Sequence, residues 1–291
     1  MAYLLPLASS LLYVLAVLFL KQANDRGVGL WRTTVVTNLL VALLFSGLTV
    51  LGGQVHPALW YQPALVGLIF LVGQILGFLA IQRGDVSVAT PVMGIKVVLV
   101  ALGVTLLLGE RVPAALWAAA LLSSAGLLFL NRGDPSPRAG RAGPAIGFGI
   151  LAAAAFALFD VLTQKWSPAW GAGRFLPLMM GCVALYTVLY VAIFRVPLGH
   201  VSREARRPLF LGGLFMAVQA VSLIAAIAVF RKATTINVVY SARGLWSVLA
   251  VWVVGHWFAN RERDQGSSVF RARLIGAGLL LAAVTLAVLA R

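Results

Sequence analysis

Apolar runs long enough to cross a bilayer follow one another along almost all of this 291-residue chain. About 20 apolar residues span the hydrocarbon core. Ten stretches qualify: Ala2–Leu20, Thr33–Leu51, Leu59–Ile81, Val86–Leu108, Pro113–Leu130, Pro144–Gln164, Phe175–Phe194, Pro208–Phe230, Thr234–Trp257 and Leu274–Ala290. Backbone in lipid must satisfy its own N–H and C=O groups, and runs of this length do so as helices. The expected fold is therefore an all-α integral membrane protein of ten transmembrane helices. Charged residues are only 11% of the chain, against about 25% in soluble domains. The first run begins at Ala2 with no basic leader, so it reads as a retained span and not a signal peptide.

The formal net charge of +15 does not indicate nucleic-acid binding. The basic residues sit in short loops between apolar runs and form no stripe on a soluble face. Loops after spans one, three, five, seven and nine hold 15 of the 23 lysines and arginines. The positive-inside rule places those loops in the cytoplasm and both termini outside. Cys182 is the single cysteine, which excludes an internal disulfide and a multi-cysteine zinc site. His56, His200 and His256 have no partners at metal-ligand spacing. No Gly-rich loop ends in Gly-Lys-Ser/Thr, so no nucleotide motif is present. No cofactor, metal or catalytic residue is expected.

The segment "NRGDPSPRAGRAGP", Asn131 to Pro144, is rich in Pro, Gly and Arg and lies near the middle of the chain. The sequences on either side of it resemble each other. "LASSLLYVLAVLFLKQANDRGVG" from Leu7 is similar to "ILAAAAFALFDVLTQKWSPAWGAG" from Ile150. Gln74 in "IFLVGQILGFLAI" corresponds to Gln219 in "LFMAVQAVSLIAA", and Lys96 corresponds to Arg243. The domain reading is a first five-helix repeat over 1–131, a linker over 132–143 and a second repeat over 144–291. An odd number of spans per repeat makes the copies inverted, with a pseudo-twofold axis in the membrane plane.

Lys96 and Arg243 are the most informative residues. Each lies near the middle of a span, where an arginine or lysine costs about 2.5–3.5 kcal/mol on insertion scales. Inverted symmetry would bring both toward one central cavity. There the planar fork of Arg and the compact charge of Lys suit a carboxylate or phosphate. Structural pairing with a buried carboxylate is the rival reading. Asp160 is the one acidic residue well inside a span, so it can neutralise one cation but not both. It is a candidate coupling group, a counter-ion, or an interfacial residue. Asn237, Tyr240, Arg243 and Trp246 recur every third residue and share one side of the ninth span. Of these, Asn237 and Tyr240 are expected to line the cavity. Gln74 and Gln219 either bind a polar substrate or bond between helices.

The stretch "GDVSVATPVMGIKVVLVALGVTLLLGERVPAALWAAALLSSAGLLFL", Gly84 to Leu130, resembles the end of an EamA-type half in the drug/metabolite transporter superfamily. Pro91, the Gly109-Glu110 pair and the small-residue fifth span carry the likeness. In the second half Val239 stands near the place of a proline, and "WFANRERD" replaces a Gly-Glu ending. The resemblance implies a ten-span transporter whose third, fourth, eighth and ninth spans line a central path, with both termini in the cytoplasm. It also implies a home in the bacterial cytoplasmic membrane.

The leading functional expectation is a secondary transporter of a small organic anion, or of a zwitterion with an anionic group, working by alternating access. Lys96 and Arg243 bind the negative group, and Gln74, Gln219, Asn237 and Tyr240 bind the polar remainder. Exchange or proton-coupled movement is expected, because an empty closed cavity holding uncompensated cations is costly. The rivals are a lipid translocator and a membrane-embedded enzyme acting on a lipid-linked anion. The partners are then a small anionic molecule and the lipid bilayer, with a homodimer as a further possibility and no nucleic acid.

Overall fold

The computed structural model describes residues 2–83, 92–130, 142–194, 199, 201–254 and 267–290. Every regular element among them is helical. In chain order the α-helices are α1 (Leu4–Asp25), α2 (Leu30–Ser46), α3 (Tyr61–Arg83), α4 (Lys96–Leu108), α5 (Ala114–Leu130), α6 (Ala142–Trp170), α7 (Ala172–Phe194), α8 (Arg203–Phe230), α9 (Ala233–Tyr240), α10 (Arg243–Val254) and α11 (Ser267–Leu289). Short 3₁₀ turns at Gly47–Leu51 and Pro57–Leu59 join α2 to α3. Among the described residues, seven helical segments are long and apolar enough to span a membrane, and α4 and α5 are shorter apolar helices. The linker expected at 132–143 lies largely outside the described residues, as do Pro91, His200, His256 and the "WFANRERD" segment.

Two expected spans take a different form. The ninth is broken into α9 and α10 by a turn at Ser241 and Ala242. Ser241 causes much of this: its Oγ donates to the Val238 carbonyl at 2.6 Å, a back-bond that bends helices. The backbone tightens there, with Ala242 N–H donating to Val239 O and Gly244 N–H to Ser241 O at i−3 spacing. In the fourth span, Gly94 and Ile95 form a turn and α4 starts only at Lys96. Gly109, at φ +69°, then ends α4 in a left-handed conformation that a residue with a Cβ rarely adopts.

The chain divides into two compact units, each drawn from both halves of the sequence. The first comprises Met1–Leu71 and Leu162–Arg231. Within it α1 packs along α8, and α2 lies against both α7 and α8. Ala23, Val28, Ala205 and Leu209 form one of its apolar clusters. Asn38 Nδ2 donates to Thr187 Oγ1 at 3.0 Å between α2 and α7, and Trp31 stacks on Tyr190. Buried Trp170 donates its Nε1–H to Gln62 Oε1 at 2.9 Å and receives the edge contacts of His56 and Trp60.

The second unit comprises Val72–Val161 and Lys232–Arg291. Its main contact is between α5 and α11. Leu127, Leu130 and Leu280 fill the crossing, beside Gly126, Gly244 and Gly276. A second cluster joins Val97 and Ala101 of α4 to Ala119 and Ala120 of α5, Val238 of α9 and Ala283 of α11. Small residues let these backbones approach closely, which is how apolar helices associate where lipid removes the usual hydrophobic drive. This packing fixes where α4, α9 and α10 present their polar residues.

Candidate functional site

Within the second unit a cleft is lined by Lys96, Asn237, Tyr240, Ser241 and Arg243, with Met93 and Leu127 as apolar wall. Lys96 and Arg243, 147 positions apart in sequence, open onto it together. Each is the first residue of a helix and follows a two-residue turn: Gly94-Ile95 before Lys96, and Ser241-Ala242 before Arg243. The first N–H groups of a helix carry about half a positive charge in sum, although in α10 the Gly244 N–H is already given to the Ser241 carbonyl. A cation at that position weakens its own helix by roughly 0.3–1 kcal/mol and adds to the positive potential.

Asp160, on α6, is the carboxylate of the site. Its Oδ2 lies 2.7 Å from Lys96 Nζ, with the side chains 2% and 18% exposed respectively. Asn237 Nδ2 donates to the same oxygen at 2.8 Å and to the Ala233 carbonyl at 3.0 Å. Asp160 is a buried counter-ion to Lys96, not an exposed interfacial residue. Arg243 Cζ sits 4.9 Å from the centroid of the Tyr240 ring, a cation–π contact from the residue three positions earlier.

Both turns are held by α5. Ser124 Oγ donates to the Gly94 carbonyl at 3.0 Å, and the hydroxyls of Ser123 and Ser241 are hydrogen-bonded at 3.2 Å. Ser123 and Ser124 are therefore positioning residues for Lys96 and Arg243. In the sequence the fifth span stands out only for its small residues. The adjacent serines inside an otherwise apolar run were the signal that could have singled them out.

Gln74 and Gln219 do not line this cleft. Gln219 belongs to the first unit, where its Nε2 donates to Ser9 Oγ at 3.1 Å and Ser9 Oγ in turn donates to the Gln219 carbonyl at 3.0 Å. That is the interhelical-bonding alternative for this residue. Gln74 is half-buried on α3. Trp246 is half-buried on α10 and is not part of the cleft wall. Glu110 and Arg111 are exposed beyond the end of α4. Among the described residues no group of His, Cys, Asp or Glu could hold a metal ion.

Residues 1–132 match the model of the EamA-like transporter family. That match is to less than half of the chain, and it includes the Gly84–Leu130 stretch that carries the resemblance. A solved crystal structure, described only as that of a protein, superposes on 100% of this chain and 99% of its own, with a TM-score of 0.73 and 18% identity. At that identity the likeness is one of fold. No curated protein matches the chain.

Proposed function

We propose that this chain, part of which is similar to the EamA-like transporter family, is a secondary active membrane carrier of a small organic anion, or of a zwitterion with an anionic group, working by alternating access. The observation that carries the reading is the convergence of Lys96 and Arg243 on one cleft, each at the positive end of a half-helix. Broken helices whose N-terminal ends face a cavity are a recurrent way of binding an anionic group inside a membrane. Arg243 supplies a planar fork for two oxygens and Lys96 a point charge. Tyr240 holds the guanidinium by its ring face and adds apolar surface beside the charge. Asn237 contributes an amide donor to the Asp160 carboxylate, beside the Lys96 ammonium.

The contact between α5 and α11 supports the inverted-repeat reading. A Cβ built on Gly126 meets Leu280 and the Gly276 carbonyl, while one built on Gly276 meets Leu130 and the Gly126 carbonyl. Gly126 and Leu130 of α5 thus make reciprocal contacts with Gly276 and Leu280 of α11, as a twofold axis requires. Lys96 and Arg243, the pair matched in sequence, both open a helix.

Exchange follows from electrostatics. Closing the cleft takes its charged groups out of water, and a bound anion offsets part of that cost. The test is counterflow in proteoliposomes. Uptake of an anion identified by a thermal-stability screen should rise when the same anion is present on the far side, and should disappear in Arg243→Ala. Equal flux with and without the trans anion removes exchange. Unchanged anion binding in both Lys96→Ala and Arg243→Ala removes the site assignment. Stabilisation by anionic lipid but by no soluble anion points instead to lipid translocation.

A further inference from the structure

A second concentration of basic side chains belongs to the first unit and shares no residue with the cleft. Arg26 lies in the turn between α1 and α2, and Arg32 in the first turn of α2. Arg203, Arg206 and Arg207 occupy the first two turns of α8. These segments are packed together. Ala23 and Val28, on either side of Arg26, share an apolar cluster with Ala205 and Leu209 of α8. Arg26 Nη1 donates to the Glu204 carbonyl at 2.8 Å. The Arg32 guanidinium lies beside Gly199, four residues before α8, where an added Cβ would meet it. Arg206 Nε donates to the Val201 carbonyl at 3.3 Å. Five arginines are thereby gathered at one end of the unit, with Asp25 and Glu204 as the acids among them.

The depth of this cluster follows from helix length and from aromatic residues. Helix α8 has 28 residues. At 1.5 Å per residue it is about 42 Å long, against about 30 Å of hydrocarbon. It therefore has the length to cross the core and still carry its first turns, with Arg203 and Arg207, into the headgroup layer. Trp31, the neighbour of Arg32, stacks on Tyr190 at 5.3 Å, and Tyr190 meets Phe194 at 4.7 Å. Such aromatics gather at the level where acyl chains give way to headgroups.

We infer that this end of the first unit binds the phosphodiester headgroup of an anionic phospholipid. A planar guanidinium pairs with two phosphate oxygens at once, which an ammonium cannot do, and the gathered cations are arginines. Arg203 and Arg207 are four residues apart, on one side of α8, and both are exposed. A free phosphate would meet the same guanidiniums. The lipid is favoured because Ile193 and Phe194, at the end of α7, are exposed apolar surface beside the aromatic stack, where acyl chains can lie. The reading is independent of what the cleft carries.

The experiment uses the purified full chain in neutral detergent. Its thermal stabilisation is titrated with dioctanoylphosphatidylglycerol, dioctanoylphosphatidylcholine and glycerol 3-phosphate. Phosphatidylglycerol should stabilise the wild type at lower concentration than phosphatidylcholine, and glycerol 3-phosphate should not stabilise it at those concentrations. Arg203→Gln/Arg207→Gln should weaken the apparent Kd for phosphatidylglycerol about 25-fold, from about fivefold per arginine, which corresponds to about 1 kcal/mol for each basic residue near an anionic surface. If the double variant does not fold, the two substitutions are read singly, each at about fivefold. Arg271→Gln, at an exposed arginine of α11 in the second unit, should keep the wild-type affinity. Arg243→Ala should keep it too, which separates headgroup binding here from a lipid entering the cleft. Equal stabilisation by the two lipids, or unchanged phosphatidylglycerol affinity in the Arg203 and Arg207 variants, overturns the inference. So does an equal loss in Arg271→Gln, a loss in Arg243→Ala, or stabilisation by glycerol 3-phosphate that matches the lipid.

Discussion

Gly126 on α5 and Gly276 on α11 face each other so closely that a methyl group on either would strike the other's backbone. A Cβ on Gly126 would lie 3.0 Å from the Gly276 carbonyl oxygen, and one on Gly276 would lie 2.7 Å from that of Gly126. The same crossing seats Gly244, the residue after Arg243, where a Cβ would meet Leu130 at 2.7 Å and Leu280 at 2.8 Å. The start of α10, and with it the cation of the cleft, is thus set by how closely α5 and α11 approach.

Gly276→Ala should destabilise the protein by about 1–3 kcal/mol, the usual cost of overpacking, because the obstacle is backbone and cannot rotate away. Gly278→Ala is the internal control. It lies on the same helix with nothing within 4 Å of its added Cβ, and should be neutral or stabilising by up to about 1 kcal/mol. Thermal unfolding in detergent compares the two directly. Equal melting temperatures for both variants would refute the close-contact account.

Breaking the Lys96–Asp160 pair from one side should cost more than removing it whole. Lys96→Ala leaves a carboxylate that is 2% exposed without its cation, and should lower stability by about 3–5 kcal/mol. The double variant Lys96→Met/Asp160→Leu should recover most of that loss while binding anions more weakly. Stability measured with and without anion separates the two effects. A double variant no more stable than the single would mean that the pair itself holds the fold together.

Ser124→Ala removes the hydroxyl donated to the Gly94 carbonyl and leaves a buried acceptor without that bond, at about 1–3 kcal/mol. Because that carbonyl belongs to the turn preceding Lys96, anion affinity should weaken as well. Ser124→Thr keeps a hydroxyl and should restore affinity in part. A Ser124→Ala variant that loses stability but binds anions normally would reduce the serine to packing.

Gln219→Leu should lower stability by about 0.6 kcal/mol, the average for such an interhelical bond, and Ser9→Ala by about twice that, since the serine also donates to the Gln219 carbonyl; the double variant should lose no more than Ser9→Ala alone. Neither should change anion binding. A loss of affinity in Gln219→Leu, with stability unchanged, would return this glutamine to the substrate site.

Much of the site's chemistry was legible in the chain as written. Lys96, Arg243 and Asp160 stand out because charge inside an apolar run is costly, and Asn237 and Tyr240 follow from helical spacing on the arginine's side. Gln219 was ambiguous for a physical reason: an amide in a membrane helix is equally served by a substrate or by a neighbouring hydroxyl, and here Ser9 is that hydroxyl. Ser123 and Ser124 were missed because serine is also a packing residue in such helices. Their role depends on which carbonyls a turn elsewhere leaves open.

Hydropathy is a local property, so the sequence alone determined the helical class, the order of the apolar stretches and which few charges are buried among them. Partners are not local. Only the packing of α4, α5, α6, α9 and α10 decided that Asp160 meets Lys96, that Arg243 lies over Tyr240, and that two helices begin at their cations. A buried charge must be matched, but which group matches it depends on side-chain positions ångströms apart in space and scores of residues apart in sequence.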